Sequence, residues 1–568
     1  MAGTISNSWA WPMKRGVIIA TVILAAGLII RLPFVLIPPT PNGLYNVDEL
    51  ALALSVVDQW LGLPPIDLCW PGIPLRFFTF VAFAPEFLWS LATDRSLLEL
   101  SHTIFRHYDD PSSLILVMRL LSAVSGAIAA LLAYGIVDKL AKDALAAAAA
   151  AVVVTFLPLS MQQSLIGTTD MVALMFAMAA AYGIVSSPAR PALAGLASAA
   201  VVATKVALAV WLVPVFVGGA VFLYQREGGR TLLIASARCL CAGTIGLVLF
   251  YPYLWLAPVR AIKAVLANVL AHANSQVPDV LVFSSVISGK AAVVCLIAAT
   301  VVAVIVAWKN DRWRFATLAL GLLLAAMFAF FLHSGFDYWR YMLGALVPGV
   351  VLFAVICASS RRVLFASALA GVALVFGTME LWAQIEMRRA IAPSLFTSIE
   401  DVCRRGETIW LYDQVLATRY YRLPMPKAAV AEVASYFEAN DKTAAMRNWL
   451  TAAKVNPAAA AALQTDFDEE EQVHLARWRA MAIVDQSSLT CPFHFFRYGF
   501  GETETDIPTN YVRGTFTDKS LRDVRAVLDR SGNTDVINVI GPAEALTGFN
   551  LPTRQIGGGM AVVTKGAN

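Results

Sequence analysis

Charge is what this chain has least of. Of its 568 residues only 14% are Asp, Glu, Lys or Arg, 58% are hydrophobic and the mean hydropathy is +0.66. That balance excludes an ordinary soluble globular protein and makes the chain an integral membrane protein. The net charge of +4 is small for the length and gives no reason to expect a nucleic-acid partner. The seven cysteines lack metal-ligand spacing. Cys239, Cys241, Cys295 and Cys357 lie in apolar runs and read as buried thiols, whereas Cys403 and Cys491 lie in a polar tail and would pair if that tail faces an oxidising compartment. His272 and His333 have no second ligand at helical spacing, so a divalent metal is open but not indicated and no cofactor is certain. A small-residue cleavage site is missing after the first apolar run, which begins behind Lys14-Arg15 and ends at Arg31 and prolines; this is a retained first helix rather than a signal peptide.

What is present is a series of membrane-length runs, at about 16–37, 112–137, 144–160, 170–186, 191–224, 239–257, 284–308, 315–332, 341–358 and 362–384. The 191–224 run carries Lys205 at its middle. A lysine at mid-bilayer is costly unless it reaches water or a partner, so this run divides into two helices meeting at Lys205, giving about eleven spans. With the amino terminus cytoplasmic, the alternate loops hold Lys14/Arg15, Lys139/Lys142, Arg190, Arg226/Arg230/Arg238, Lys309/Arg312/Arg314 and Arg361/Arg362, a consistent positive-inside pattern. The other face then receives the long first loop 38–111, the Met161-to-Asp170 turn, the Lys205 apex, the 258–284 loop, the His333-to-Arg340 turn and the tail.

The first loop is rich in Trp, Phe, Leu and Pro and reads as short amphipathic helices along the interface. The transmembrane module is expected over 1–386 and a soluble extracytoplasmic α/β domain over 387–568. Strands are expected at Thr408 to Tyr412, Asp535 to Ile540 and Met560 to Val563, with helical stretches between.

The chemistry-bearing residues gather on the predicted outer face. Asp48 and Glu49 follow the first span; they are either an ordinary solvated loop pair or half of a site. Asp170 opens a span and either caps that helix or works in the site. Lys205 either snorkels from a helix end or holds an anion, and Arg340 with Tyr341 and Trp339 forms an interfacial anchor belt or a phosphate contact. A site taking sugar from a polyprenyl phosphate needs cations at the interface for the leaving phosphate and a carboxylate to take the acceptor's proton. Lys205 and Arg340 are the available cations and Asp48 the available base. The main rival is a transporter or flippase of lipid-linked saccharides, which would bring internal repeats and midplane charges on both sides; no repeat is visible.

At these residues the chain resembles the GT-C membrane glycosyltransferases, in particular the dolichyl-phosphate-mannose protein mannosyltransferase-like group. Five pieces carry the resemblance: Tyr45 to Glu49; Met118-Arg119-Leu120-Leu121-Ser122-Ala123; Pro158-Leu159-Ser160 through Thr169-Asp170; Gly195-Leu196-Ala197 to Thr204-Lys205; and Asp337-Tyr338-Trp339-Arg340-Tyr341 followed by Pro348. The resemblance implies an inverting glycosyltransferase that moves a sugar from a polyprenyl-phosphate donor to a protein, lipid or glycan acceptor at the extracytoplasmic face. It implies Asp48 as the catalytic base beside Glu49, with Lys205, Arg340 and Tyr341 on the donor phosphate, and Asp170, Arg119 and His333 orienting donor or acceptor. The sole DxD-like triplet, Asp466-Phe467-Asp468, sits in an acidic run of the tail, which argues against a metal-bound nucleotide-sugar donor.

Overall fold

The computed structural model describes residues 10–36, 47–60, 72–93, 112–186, 189–256, 339–360, 363–390, 401–412, 493–496, 536–542, 551–557 and 560–565, with a few single positions between them. The expected spans 284–308 and 315–332 fall largely outside these residues, as do His272, His333 and Asp337.

The membrane part begins with α1 (Ala10–Val35), α2 (Val47–Trp60) and α3 (Ile73–Thr93). The last two occupy the long first loop. On α3, Phe77, Phe78, Val81, Leu88, Trp89 and Leu91 are exposed, as suits a helix that meets lipid along one side. Next come α4 (Ser112–Ala141), α5 (Ala144–Phe156), α6 (Pro158–Ser164) and α7 (Thr169–Val185). Asp143 caps α5, accepting from the amides of Leu145 and Ala146 at 2.9 and 3.2 Å. The run expected over 144–160 is a bent one: α5 and α6 meet at a 59° angle, because Pro158 has no amide hydrogen to continue the ladder.

The run divided at Lys205 forms α8 (Pro191–Thr204), α9 (Val206–Ala209) and α10 (Leu212–Glu227). Lys205 itself is extended, at φ −161 and ψ 102. Gly228, at φ 82, then turns the chain into α11 (Gly229–Phe250), followed by α12 (Tyr253–Leu256). Helix α11 starts ten residues before the expected 239, so Arg230 and Arg238 are helical rather than loop residues; their long stems let the charges lie along a helix end. A 3-10 helix (Trp339–Ala345) leads into α13 (Leu346–Ser360), and α14 (Val363–Ala390) follows.

Among the described residues five helices are long and apolar enough to cross a membrane, and the bent α5–α6 pair makes up to six; shorter apolar helices add Thr21–Val35, Thr169–Val185, Pro191–Thr204 and Met342–Ala358. Small side chains line the packed faces, among them Ala130, Ala133, Ala147, Ala150, Ala177 and Ala181. Such faces let membrane helices approach closely where lipid supplies no hydrophobic drive. Of the cysteines, Cys357 is buried and Cys239 half-buried, but Cys241 is exposed on α11, against the expectation of a buried thiol.

The course of α14 matters for orientation. Gly377 lies against the backbone of Phe156, so closely that a Cβ there would fall 2.0 Å from its carbonyl oxygen. Leu381, one turn on, packs against the cluster that holds Val35, Ala123, Met161 and Leu165, and α14 lies against α6 as well as α5. Helix α14 therefore climbs from the end of α5 to the level of the α6–α7 loop, and the chain leaves toward that same end.

In the tail, β1 (Thr408–Tyr412), β2 (Phe493–Phe496), β3 (Ile537–Pro542), β4 (Thr553–Gly557) and β5 (Met560–Lys565) form one sheet in the order β2-β1-β3-β5-β4. Strand β1 is parallel to both β2 and β3, with Ile409 opposite Phe493 and Asn538, and β5 is antiparallel to β3 and β4. Cys403, just before β1, is disulfide-bonded; Cys491 lies outside the described residues.

Candidate active site

The loop 165–168 between α6 and α7 is the hub of the site. Glu49, on the first turn of α2, is fully buried and takes both arms of the Arg119 guanidinium, from Nε to Oε1 and from Nη2 to Oε2, each at 2.8 Å. The Gly167 amide donates to the same Oε1. A bidentate guanidinium–carboxylate pair is the strongest form of ion pair available to side chains. Position 167 must be glycine, since a Cβ would lie 2.9 Å from Met118 Cβ and 3.3 Å from the Arg119 amide nitrogen. Ser122 donates to the Thr168 carbonyl at 3.2 Å, and the Thr168 hydroxyl donates to Gln163 Oε1 at 3.3 Å. Helices α2, α4, α6 and α7 are thus tied at one end.

The second ion pair lies on the other side of that loop. Lys205 Nζ donates to Asp170 Oδ1 at 2.6 Å, with both side chains buried. The α8 break places Lys205 there, and Thr168, not Asp170, is the N-cap of α7. Asp170 sits in the first helical turn, where a carboxylate complements the helix dipole. Its Oδ2 is buried with no hydrogen-bond partner among the described residues. Helix α3 closes in from the first loop: the Gly72 amide donates to the Thr204 carbonyl at 3.3 Å, and a Cβ at Gly72 would meet Thr169 Cγ2 at 3.1 Å and Arg76 Nε at 3.6 Å. Arg76, 2% exposed, therefore stands beside the start of α7. The sequence reading missed it, although an arginine in the apolar run Ile73 to Trp89 was the available signal.

Arg340 is buried on the 3-10 helix, which packs against α6, α7 and α9. Its seat is set by Gly344, where a Cβ would fall 2.3 Å from the ring of the fully buried Trp211. Asp48 lies in the first turn of α2 beside the clamped Glu49; its side chain, and that of Tyr341, lie outside the described residues, as does His333. Of the residues named from sequence, then, Glu49 joins Arg119 and Asp170 joins Lys205. Among the described residues no group of three or more His, Cys, Asp or Glu is arranged to hold a metal ion.

A crystal structure of ArnT from Cupriavidus metallidurans in the apo state is similar at 14% identity over 99% of each chain, with a TM-score of 0.40. No curated protein matches the chain. Residues 103–268 match the family model of dolichyl-phosphate-mannose-protein mannosyltransferase. The chain is thus similar to that family over the segment that holds Arg119, Gly167, Asp170 and Lys205.

Proposed function

We propose that this protein is an inverting GT-C glycosyltransferase that transfers a sugar from a polyprenyl-phosphate donor to an acceptor at the extracytoplasmic face of the membrane. The observation that carries the reading is the pair of buried ion pairs on either side of the α6–α7 loop, three of whose four members, Arg119, Asp170 and Lys205, lie within the segment similar to the mannosyltransferases. Buried charge at a membrane helix end is expensive, and here it is gathered around one loop.

The two pairs differ in what they leave available. Glu49 spends its oxygens on Arg119 and Gly167, so the base role falls to its neighbour Asp48. An acceptor hydroxyl or amine attacks the anomeric carbon, its proton passes to the Asp48 carboxylate, and the bond from that carbon to the phosphate oxygen breaks on the opposite side, inverting the centre. The polyprenyl phosphate leaves with the bonding electrons. Lys205 and Arg340, with Arg76 and Tyr341, stabilise the charge it carries away. Asp170 holds the Lys205 ammonium in place and offers its open Oδ2 to a sugar or acceptor hydroxyl. Arg119 acts by holding Glu49, and His333 remains a candidate for orienting the acceptor.

Two features support the extracytoplasmic face. The positive-inside pattern puts this end of the bundle outside. The chain leaves α14 toward the same end, and Cys403 beyond it is disulfide-bonded, a state that belongs to an oxidising compartment. Asp48→Asn should abolish transfer in a purified assay with a polyprenyl-phosphate sugar while the protein still folds. Unchanged turnover would overturn the assignment.

A further inference from the structure

We infer that Arg31 is a positioning residue for the transfer site: it sets the angle between α5 and α6 and, through it, the place of the loop that carries Gly167 and leads to Asp170. The inference rests on the reading of that loop as part of the site.

Arg31 is a fully buried guanidinium on the first membrane helix. Its Nε donates to the Ser164 hydroxyl at 2.7 Å, its Nη2 to the Thr155 carbonyl at 3.0 Å and its Nη1 to the Gly27 carbonyl of its own helix at 2.9 Å. All these acceptors are neutral. An apolar side chain of similar length would fill the slot without burying a charge, so stability alone does not account for a guanidinium here.

The choice of acceptors does. Thr155 lies in the last turn of α5, where helix carbonyls have no donor of their own once the chain bends. Ser164 is the last residue of α6, and its hydroxyl in turn donates to the Met161 carbonyl at 2.8 Å. One rigid fork therefore spans both arms of the 59° break. Room for it is built in, since a Cβ at Gly126 would come within 3.2 Å of Arg31 Nε and of Ser164 Cβ. Only a few residues separate Ser164 from Gly167, whose amide feeds Glu49, and from Asp170, which holds Lys205. A planar guanidinium can hold two acceptors at a fixed spacing, whereas an ammonium on a flexible stem cannot.

The test uses Arg31→Lys and Arg31→Gln in the full-length protein, with hydrogen exchange read by mass spectrometry and steady-state transfer read beside it. In both variants exchange should rise in segment 157–169 and not elsewhere. The turnover number should fall about 10- to 100-fold with the KM for the donor little changed, and Arg31→Lys should be the milder of the two. Should Arg31→Gln not fold, Arg31→Lys carries the same two readouts. Unchanged exchange in 157–169, a rise spread evenly along the chain, or a local rise with unaltered turnover would each overturn the inference. If Asp48→Asn abolishes transfer but the Arg31 variants behave as the parent, the inference falls and the transferase reading stands. If the parent shows no transfer yet the local rise appears, the device stands and the transferase reading falls.

Discussion

Two buried ion pairs of the membrane part, Glu49–Arg119 and Asp170–Lys205, look alike on paper and are built for different ends. Glu49–Arg119 is closed: two parallel hydrogen bonds and a backbone amide occupy the carboxylate. Asp170–Lys205 is held by one short bond and leaves Oδ2 without a partner among the described residues. A closed pair is a joint between helices. An open one keeps capacity for a ligand, at the expense of a buried oxygen that wants a donor. The difference teaches that charge and burial alone do not distinguish a joint from a site; what each oxygen already holds does.

The comparison can be broken by substitution. The largest effect is expected for Arg119→Met, which strands the Glu49 carboxylate and should cost about 3–5 kcal/mol by thermal unfolding in detergent. Adding Glu49→Gln should recover most of that loss, and a double variant as unstable as the single one would mean that the pair is not the joint. Gly167→Ala is expected next, at about 1–3 kcal/mol, since its Cβ meets Met118 Cβ at 2.9 Å. Asp170→Asn should cost less stability than Arg119→Met yet lower turnover by more than about 10-fold; the reverse order, stability lost and turnover kept, would erase the distinction between the pairs.

The smallest effect belongs to a solvent-accessible counterpart in the tail, where Arg405 is exposed and Glu407 half-buried. Glu407 accepts from Arg405 at 2.6 and 2.9 Å and from Asn538 at 2.9 Å. The hydrogen bonds from Arg405 hold its carboxyl below the usual range. Its contribution is therefore present above the ordinary carboxylate range and is lost as pH falls through the depressed folded value. With Glu407 half-buried but its partner Arg405 exposed to solvent, it should amount to less than about 1 kcal/mol. Proteolysis of the tail should quicken slightly on acidification, and Glu407→Gln should remove Glu407's share of that dependence; a variant with the parent's full pH profile would show that the pair contributes nothing.

Much of this was legible in the residues themselves. Lys205 interrupts an apolar run where no bilayer tolerates it unpartnered, and the helix does break there. Alternating β-branched and aromatic residues announced β1, β3 and β5 within a few residues of where they lie. The short β2 and β4 were not seen, since Phe493 to Phe496 and Thr553 to Gly557 lack that alternation. The start of α11 was misjudged because arginines were taken as loop residues.

The sequence by itself determined a membrane protein and the helix break at Lys205, because hydropathy and the cost of a lysine in lipid are local properties. Tertiary structure alone decided who pairs with whom. That Glu49 belongs to Arg119, Asp170 to Lys205, and Arg31 to the two arms of a distant break depends on contacts between residues 35 to 133 positions apart. Hydrogen bonds at 3 Å are set by how helices pack, and no periodicity along a single helix records them.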